Sequence, residues 1–319
     1  MADFVTHNNG STGSTDDKKY EAEQIEQQEV SAPTVYVAMP KIAQKGVDES
    51  SLEVTELKFL NPSDTSITLT QNAILHSPSI YTPTLDPFVA GSYLVTNGTF
   101  GPAPMVYINM PSIHALHPSS TASVVETLPI NNIDQLTEYA TQVIANEYVT
   151  TALTGKTTLH EGKLPTTTVN YNSSFTYKGL NGLAGFNITN VKINLTNTDP
   201  TTPNVQGSAY IPNPSVMTIE LGNVTLSIST AKVGVVGTGY IENMTLVPGN
   251  NTLPMTAILN QTLILASTDT TTGIAVLEIT GQSCVYNGVH LTYYEKALSQ
   301  NVLTLSMNVL RVIADSTTT

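Results

Sequence analysis

The 319-residue chain has one cysteine, Cys284, and no tryptophan. A single cysteine excludes any intrachain disulfide, so the fold cannot rest on a cross-linked framework. Within "GQSCVYNG" Cys284 reads as a small buried hydrophobe, because the stretch lacks the closing glycine of a nucleophile elbow. Charge is also scarce, at 12% Asp, Glu, Lys and Arg against roughly 25% in an average soluble domain. Exposed helices usually carry those residues, so Thr, Ser, Asn and Val in their place favour strands and turns. Cations are scarcest, with 12 Lys and Arg against 25 Asp and Glu. A formal net charge of −13 excludes a nucleic-acid partner, which needs clustered cations to displace counterions, and disfavours anionic membrane surfaces. Long apolar runs are missing. "VYVAMP" at 35–40 and the stretch ending "NVLRVIA" fall far short of the roughly 20 residues that span a bilayer. The N-terminus shows no basic segment followed by an apolar core, so no signal peptide is expected.

What the sequence does contain is a repeated phrase. "FLNPSDTSITLTQNAILHS" at 59–77 aligns without a gap to "IPNPSVMTIELGNVTLSIS" at 211–229. Proline sets its own φ, biases the residue before it to extended backbone and donates no ladder hydrogen bond. Asn and Ser beside it can close a turn through their side chains. Asn61, Pro62 and Ser63, and then Asn213, Pro214 and Ser215, are therefore expected to open strands rather than bind a ligand. Behind the second copy, Met217, Ile219 and Leu221 share one face; after Gly222 the phase shifts, and Val224, Leu226 and Ile228 take it over. That slip predicts a bulge or tight bend at Gly222–Asn223.

Helices are few. "NNIDQLTEYATQVIANEYVTTAL" places Ile133, Leu136, Ala140, Val143, Ile144 and Tyr148 on one face, with Asn132 as N-cap and Gln135 three residues on. "LTYYEKALSQN" at 291–301 aligns with "LTEYATQVIAN" at 136–146, at nearly the offset of the first match. Two matches at one offset indicate an internal duplication. The expected organisation is a disordered tail over 1–31, a membrane-exit remnant over 32–40, β-rich domains over 41–180 and 181–314, and a disordered end over 315–319. The fold class is mainly β, as two tandem β-sandwich-like domains, each with an accessory helix.

The search for chemistry finds little. Gly234, Gly237 and Gly239 have the order G-x-x-G-x-G and precede a strand, whereas a dinucleotide fingerprint needs G-x-G-x-x-G before a helix. Of the six histidines only His114 and His117 are close, and no carboxylate or cysteine is near them. No catalytic residue, metal ligand or cofactor is assigned. N-x-[ST] acceptors are plentiful: Asn9, Asn97, Asn172, Asn187, Asn194, Asn223, Asn243, Asn250 and Asn260. Asn223 and Asn243 point away from the apolar face of their strands, which suits a glycosylated lumenal or extracellular domain; equally, any polar residue of an amphipathic strand faces outward.

The phrases "PKIAQKGVDES", "GLNGLAGFNITNVKINLTN", "IPNPSVMTIELGNVTLSI" and "GTGYIENMTLVPGNNTLPM" resemble a family of fungal membrane-anchored proteins of unknown function, over about residues 37–312. More distantly the chain is similar to late-embryogenesis-abundant type-2 (water-stress) domains. These are β-sandwich modules with an Asn-Pro strand opening and a later G-x-G strand, matched here by Asn213, Pro214, Gly237 and Gly239. The resemblance implies a cytoplasmic tail, one transmembrane helix and tandem β-rich domains facing the vacuolar lumen or the exterior. This chain has the polar tail and "PKIAQ", but "EVSAPTVYVAMP" stands where the span belongs. Two functions are expected from this reading: a non-enzymatic structural or interaction protein, or a carrier of lipid or another apolar ligand in a groove between sheets. The expected partners are a lipid or a membrane protein.

Overall fold

The computed structural model describes residues 31–197 and 199–317, with side chains from residue 37. The tail expected over 1–31 and acceptor Asn9 therefore lie outside the described residues, apart from Ser31. Ser31 opens α1 (Ser31–Asp48), a helix running through the segment read from sequence as a membrane-exit remnant and the start of a β-rich domain. Pro40 lies inside this helix and hid it, because proline ordinarily breaks one. Met39 and Ala43, one turn apart on a single face, are buried and hold it down.

The strands form two sheets, and the architecture is mainly β. The first half contributes β1 (Ser51–Leu60), β2 (Ser66–His76) and β8 (Ser119–Pro129) to the larger sheet. The second half supplies the rest of that sheet: β11 (Asn187–Ile193), β12 (Val205–Asn213), β13 (Met217–Thr230), β14 (Gly234–Leu246), β15 (Gly249–Leu259), β16 (Ile274–Tyr286), β17 (Val289–His290) and β18 (Leu303–Asn308). Its order is β11-β12-β15-β14-β13-β1-β2-β8, with β16 also on β13 and with β17 and β18 on β16. The smaller sheet runs β5-β4-β9-β3-β7, with β10 on β9 and β6 on β4. Its strands are β3 (Thr84–Leu85), β4 (Phe88–Thr96), β5 (Thr99–Phe100), β6 (Val106–Met110), β7 (Ile113–His114), β9 (Tyr148–His160) and β10 (Thr167–Lys178).

The two halves are joined by a parallel ladder in which Leu57, Lys58 and Phe59 of β1 face Met217, Thr218 and Ile219 of β13. Further along, β13 pairs β16 over Asn223–Ser229. Gly222 sits between the two pairings at φ +72°, and the register to β14 slips on both sides of it. A side chain here is excluded, since a Cβ would stand 2.4 Å from the Val285 carbonyl oxygen. Met217, Ile219 and Leu221 are buried before this bulge, and Val224, Leu226 and Ile228 after it.

The duplicated phrase makes a turn in both places but leads to different topologies. In the first copy β1 and β2 form an antiparallel hairpin. Ser63 Oγ accepts from the Thr65 and Ser66 amides at 3.2 and 2.9 Å, and Asn61 takes φ +45°. In the second copy β12 pairs β15, and β13 begins beyond the β14–β15 pair. Asn213 is buried there: Nδ2 donates to the Met217 carbonyl at 2.8 Å, and Oδ1 accepts from the Ser215 amide and hydroxyl at 3.0 and 2.6 Å.

Helices α2 (Ile133–Ala145) and α4 (Thr292–Gln300), one from each half, pack on each other. Asn132 caps α2 by accepting from the Gln135 amide at 2.9 Å. Leu136, Tyr139, Ala140, Val143 and Ile144 are its buried face. Ile133 and Tyr148, expected on that face, are exposed; Asn146 turns the chain into extended backbone, so Tyr148 starts β9. Two further helices are α3 (Gln261–Ser267) and α5 (Val309–Thr317). Residues 315–317, expected to be disordered, end α5, where Ser316 Oγ accepts from the Ile193 amide at 2.9 Å. One buried cluster runs from Met39 to Val309.

Candidate ligand-binding site

β10 alternates strictly, with Val169, Tyr171, Ser173, Phe175 and Tyr177 inward, as period-two geometry requires. It pairs only with β9, leaving one edge free. α1 covers that edge through one side chain. Gln44 Nε2 donates to the Asn170 carbonyl and Gln44 Oε1 accepts from the Asn170 amide, both at 2.8 Å. The side-chain amide thus continues the ladder as a neighbouring strand would.

Between α1, the end of β2 and the segments flanking β3 and β9 lies a cavity of about 300 Å³. Met39, Ala43, Leu75, Leu85 and Leu159 make its walls apolar. Gaps elsewhere between the layers are an order of magnitude smaller: about 20 Å³ beside Phe59 and Tyr294, and about 30 Å³ beside Leu226 and Ile241. Protein interiors are ordinarily packed to that density, so the cavity under α1 is a departure from it.

Tyr171 and Glu161 belong to this lining, but the Tyr171 hydroxyl and Glu161 Oε2 themselves are shut off from solvent, the first beside the Ser173 hydroxyl. Tyr171 is only 2% exposed. Its ring is held against Phe88 with centroids 5.2 Å apart, which fixes where the hydroxyl points. Burial pushes the phenol above its ordinary range, against a smaller opposing effect from the Ser173 hydroxyl, so at neutral pH it stays protonated. The mouth is apolar as well: Ile42, Tyr81 and Leu164 line the cavity and are also exposed, and Ile80 beside them is 80% exposed.

The sequence reading missed this site. Neither Tyr171 nor Glu161 is among the residues the sequence reading singles out. The residues singled out from sequence lie elsewhere in the fold. Asn61, Pro62, Ser63, Asn213, Pro214 and Ser215 form the two turns described above. Gly237 and Gly239 sit where β14 runs between neighbours, and a Cβ on Gly237 would stand 2.3 Å from the Ile258 carbonyl oxygen of β15. Gly234, Gly237, Gly239 and Met244 all lie on the single strand β14. Asn97, Asn172, Asn187, Asn194, Asn223, Asn243, Asn250 and Asn260 are all exposed. Asn260 also caps α3, its Oδ1 accepting from the Thr262 and Leu263 amides at 3.1 Å.

The histidines are dispersed. His114 Nδ1 meets the Thr84 hydroxyl and His117 Nδ1 the Ser77 carbonyl, at 3.0 and 3.1 Å. His76, His160 and His290 each meet one carboxylate: Glu53, Asp86 and Glu295. Among the described residues no group of three or more His, Cys, Asp or Glu is placed to hold a metal ion. Cys284 is fully buried with its thiol donating to the Leu221 carbonyl, and burial, then the Glu295 carboxylate, push it up to about 12. No helix of the described residues is long and apolar enough to cross a membrane.

Residues 103–228, from just before β6 to within β13, match the model of a family described as "Protein of unknown function (DUF3712)". The matched stretch spans both halves and contains the second turn motif and most of β13. No curated protein matches. Among solved structures, red sea bream transglutaminase overlaps with a TM-score of 0.27 at 10% identity, over 80% of this chain and 31% of its own. The CupB6 tip adhesin of Pseudomonas aeruginosa overlaps with a TM-score of 0.19 at 9% identity, over 73% of this chain and 93% of its own. This chain thus spans about a third of the length of the transglutaminase.

Proposed function

We propose that the protein is a non-enzymatic binding module that holds a lipid-like or otherwise apolar ligand in the cavity beneath α1. The observation that carries this reading is the apolar cavity of about 300 Å³ beneath α1, with the exposed Ile42, Tyr81 and Leu164 among the residues that line it. Apolar walls supply affinity through surface removed from water, and one or two convergent polar atoms orient the guest. The setting proposed with it is the lumenal or cell-surface side of a fungal membrane, from the resemblance of the chain to such a family. Eight exposed N-x-[ST] acceptors support that setting.

A second reading, a structural or interaction protein without a ligand, is favoured by the close packing between the layers away from the cavity. Native mass spectrometry separates the two. The chain is secreted from a eukaryotic host behind an added signal peptide and weighed before and after deglycosylation. Excess mass that survives deglycosylation and leaves on solvent extraction supports the binding module. A mass accounted for by polypeptide and glycan alone supports the scaffold.

A further inference from the structure

We infer that the cavity beneath α1 takes a single-chain lipid, with its alkyl chain against Met39, Leu75, Leu85 and Leu159 and a hydroxyl- or carbonyl-bearing head on the Ser77 hydroxyl. This inference rests on the binding reading above and names its ligand class.

Ser77 owes its position to β2. Ile67, Leu69, Gln71, Ala73 and Leu75 are the buried face of that strand, and the Ser77 amide extends the β2–β8 ladder by donating to the Pro118 carbonyl at 3.0 Å. Two residues beyond Leu75, Ser77 therefore points to the same side, into the cavity that both residues line. Ser77 is 6% exposed, and its hydroxyl makes no hydrogen bond among the described residues. Unlike the Tyr171 hydroxyl and Glu161 Oε2, its oxygen is not shut off. A buried hydroxyl without a partner is costly, and a guest that reaches it supplies the bond, as donor or acceptor. Of the other serines in the lining, Ser50 Oγ donates to the Val47 carbonyl at 2.6 Å. Ser79 Oγ accepts from the Tyr81 amide at 3.1 Å and keeps its proton to donate. Exposure rises from Ser77 through Ser79 to Tyr81, so these groups lead outward to the mouth while the walls beneath α1 stay apolar. An amphiphile thus sits with its chain inward and its head at the serines. The volume sets the number of chains. About 300 Å³ is the lower end of the roughly 300–1,000 Å³ range of pockets that hold drug-sized ligands, room for one alkyl chain and not for two.

The test uses the full chain and diphenylhexatriene, a fluorescent dye without a polar atom, displaced by 1-monooctanoylglycerol or by 1,2-dioctanoylglycerol below their aggregation limits. Monooctanoylglycerol is expected to displace the dye, and dioctanoylglycerol to do so no more than about tenfold better, because its second chain stays outside. Burial of that second chain would tighten binding more than about a thousandfold, so a gain above about tenfold overturns the single-chain assignment. Ser77→Ala, checked for an unchanged melting temperature, should weaken monooctanoylglycerol about fivefold, the worth of one hydrogen bond, and leave the affinity for the dye within about twofold. Weakening of dye and lipid alike, or of neither, overturns the head placement while leaving the binding module standing. Dye that binds but yields to neither lipid overturns the ligand class alone. Binding of neither dye nor lipid overturns the binding module as well.

Discussion

The backbone amide of Asn61 donates to Glu220 Oε2 at 2.7 Å, tying the first turn motif to a strand 159 residues away. The Tyr286 hydroxyl donates to the same oxygen at 3.0 Å and reaches Asn61 Oδ1 at 3.3 Å. This node reinforces the parallel β1–β13 ladder, which spans three residue pairs. Glu220→Ala leaves the Asn61 amide without its acceptor and is expected to cost about 2 kcal/mol. Glu220→Gln keeps an acceptor and should cost about half that. Urea unfolding followed by circular dichroism checks both as a fall in midpoint at constant slope.

Two glycines with similar φ should respond very differently to alanine. Gly222 (φ +72°) abuts the Val285 carbonyl, and Gly222→Ala combines left-handed backbone with a clash, for a loss of about 3 kcal/mol. Gly98 (φ +76°) has nothing within 4 Å of a Cβ, so Gly98→Ala should cost only about 1 kcal/mol. Equal melting-temperature shifts for the two would contradict the role assigned to the β13 bulge.

Stability should fall steeply on the alkaline side. Tyr139 and Tyr177 share a buried hydrogen bond of 2.9 Å; burial pushes Tyr177 up to about 12 and holds Tyr139 well above the ordinary phenol range. Burial also raises Tyr294, Tyr293 and, to about 12, Cys284. Groups whose folded values are raised stabilise the fold fully below their unfolded values, near 10 for phenols and 8.5 for a thiol. That contribution is lost as pH rises toward the folded values, so the window is about pH 9 to 12. Phenolate absorbance of the buried tyrosines and loss of circular dichroism should rise together in that window; ionisation of every tyrosine ahead of unfolding would contradict it.

Cys284 should be silent to thiol reagents. With its thiol buried and bonded to the Leu221 carbonyl, it should not react with Ellman's reagent at pH 8, and one thiol per chain should appear in guanidinium. Fast reaction of the native chain would show that β16 opens away from β13.

Gln44 holds α1 on the β10 edge with two hydrogen bonds, and Gln44→Ala removes both. Hydrogen exchange over residues 41–48 should then speed up, and ligand binding beneath α1 should weaken about threefold, with global stability little changed. Unchanged exchange in α1 would show that Met39 and Ala43 alone secure the wall.

Features legible from the residues alone are those that neighbours along the chain encode. Alternation at Met217, Ile219 and Leu221, the phase change at Gly222, the two Asn-Pro-Ser turns and the Asn132 cap all follow from periodicity and local hydrogen bonding. Tertiary structure alone decided where those pieces went. One turn phrase closes a hairpin and its copy a crossover, because the strand each opens pairs with whichever edge the rest of the fold leaves free. α1 exists despite Pro40 because Met39 and Ala43 find a buried surface, an interaction no local propensity anticipates. The cavity joins α1 to Leu75, Leu159 and Tyr171, distant in sequence, and exists only in their arrangement in space.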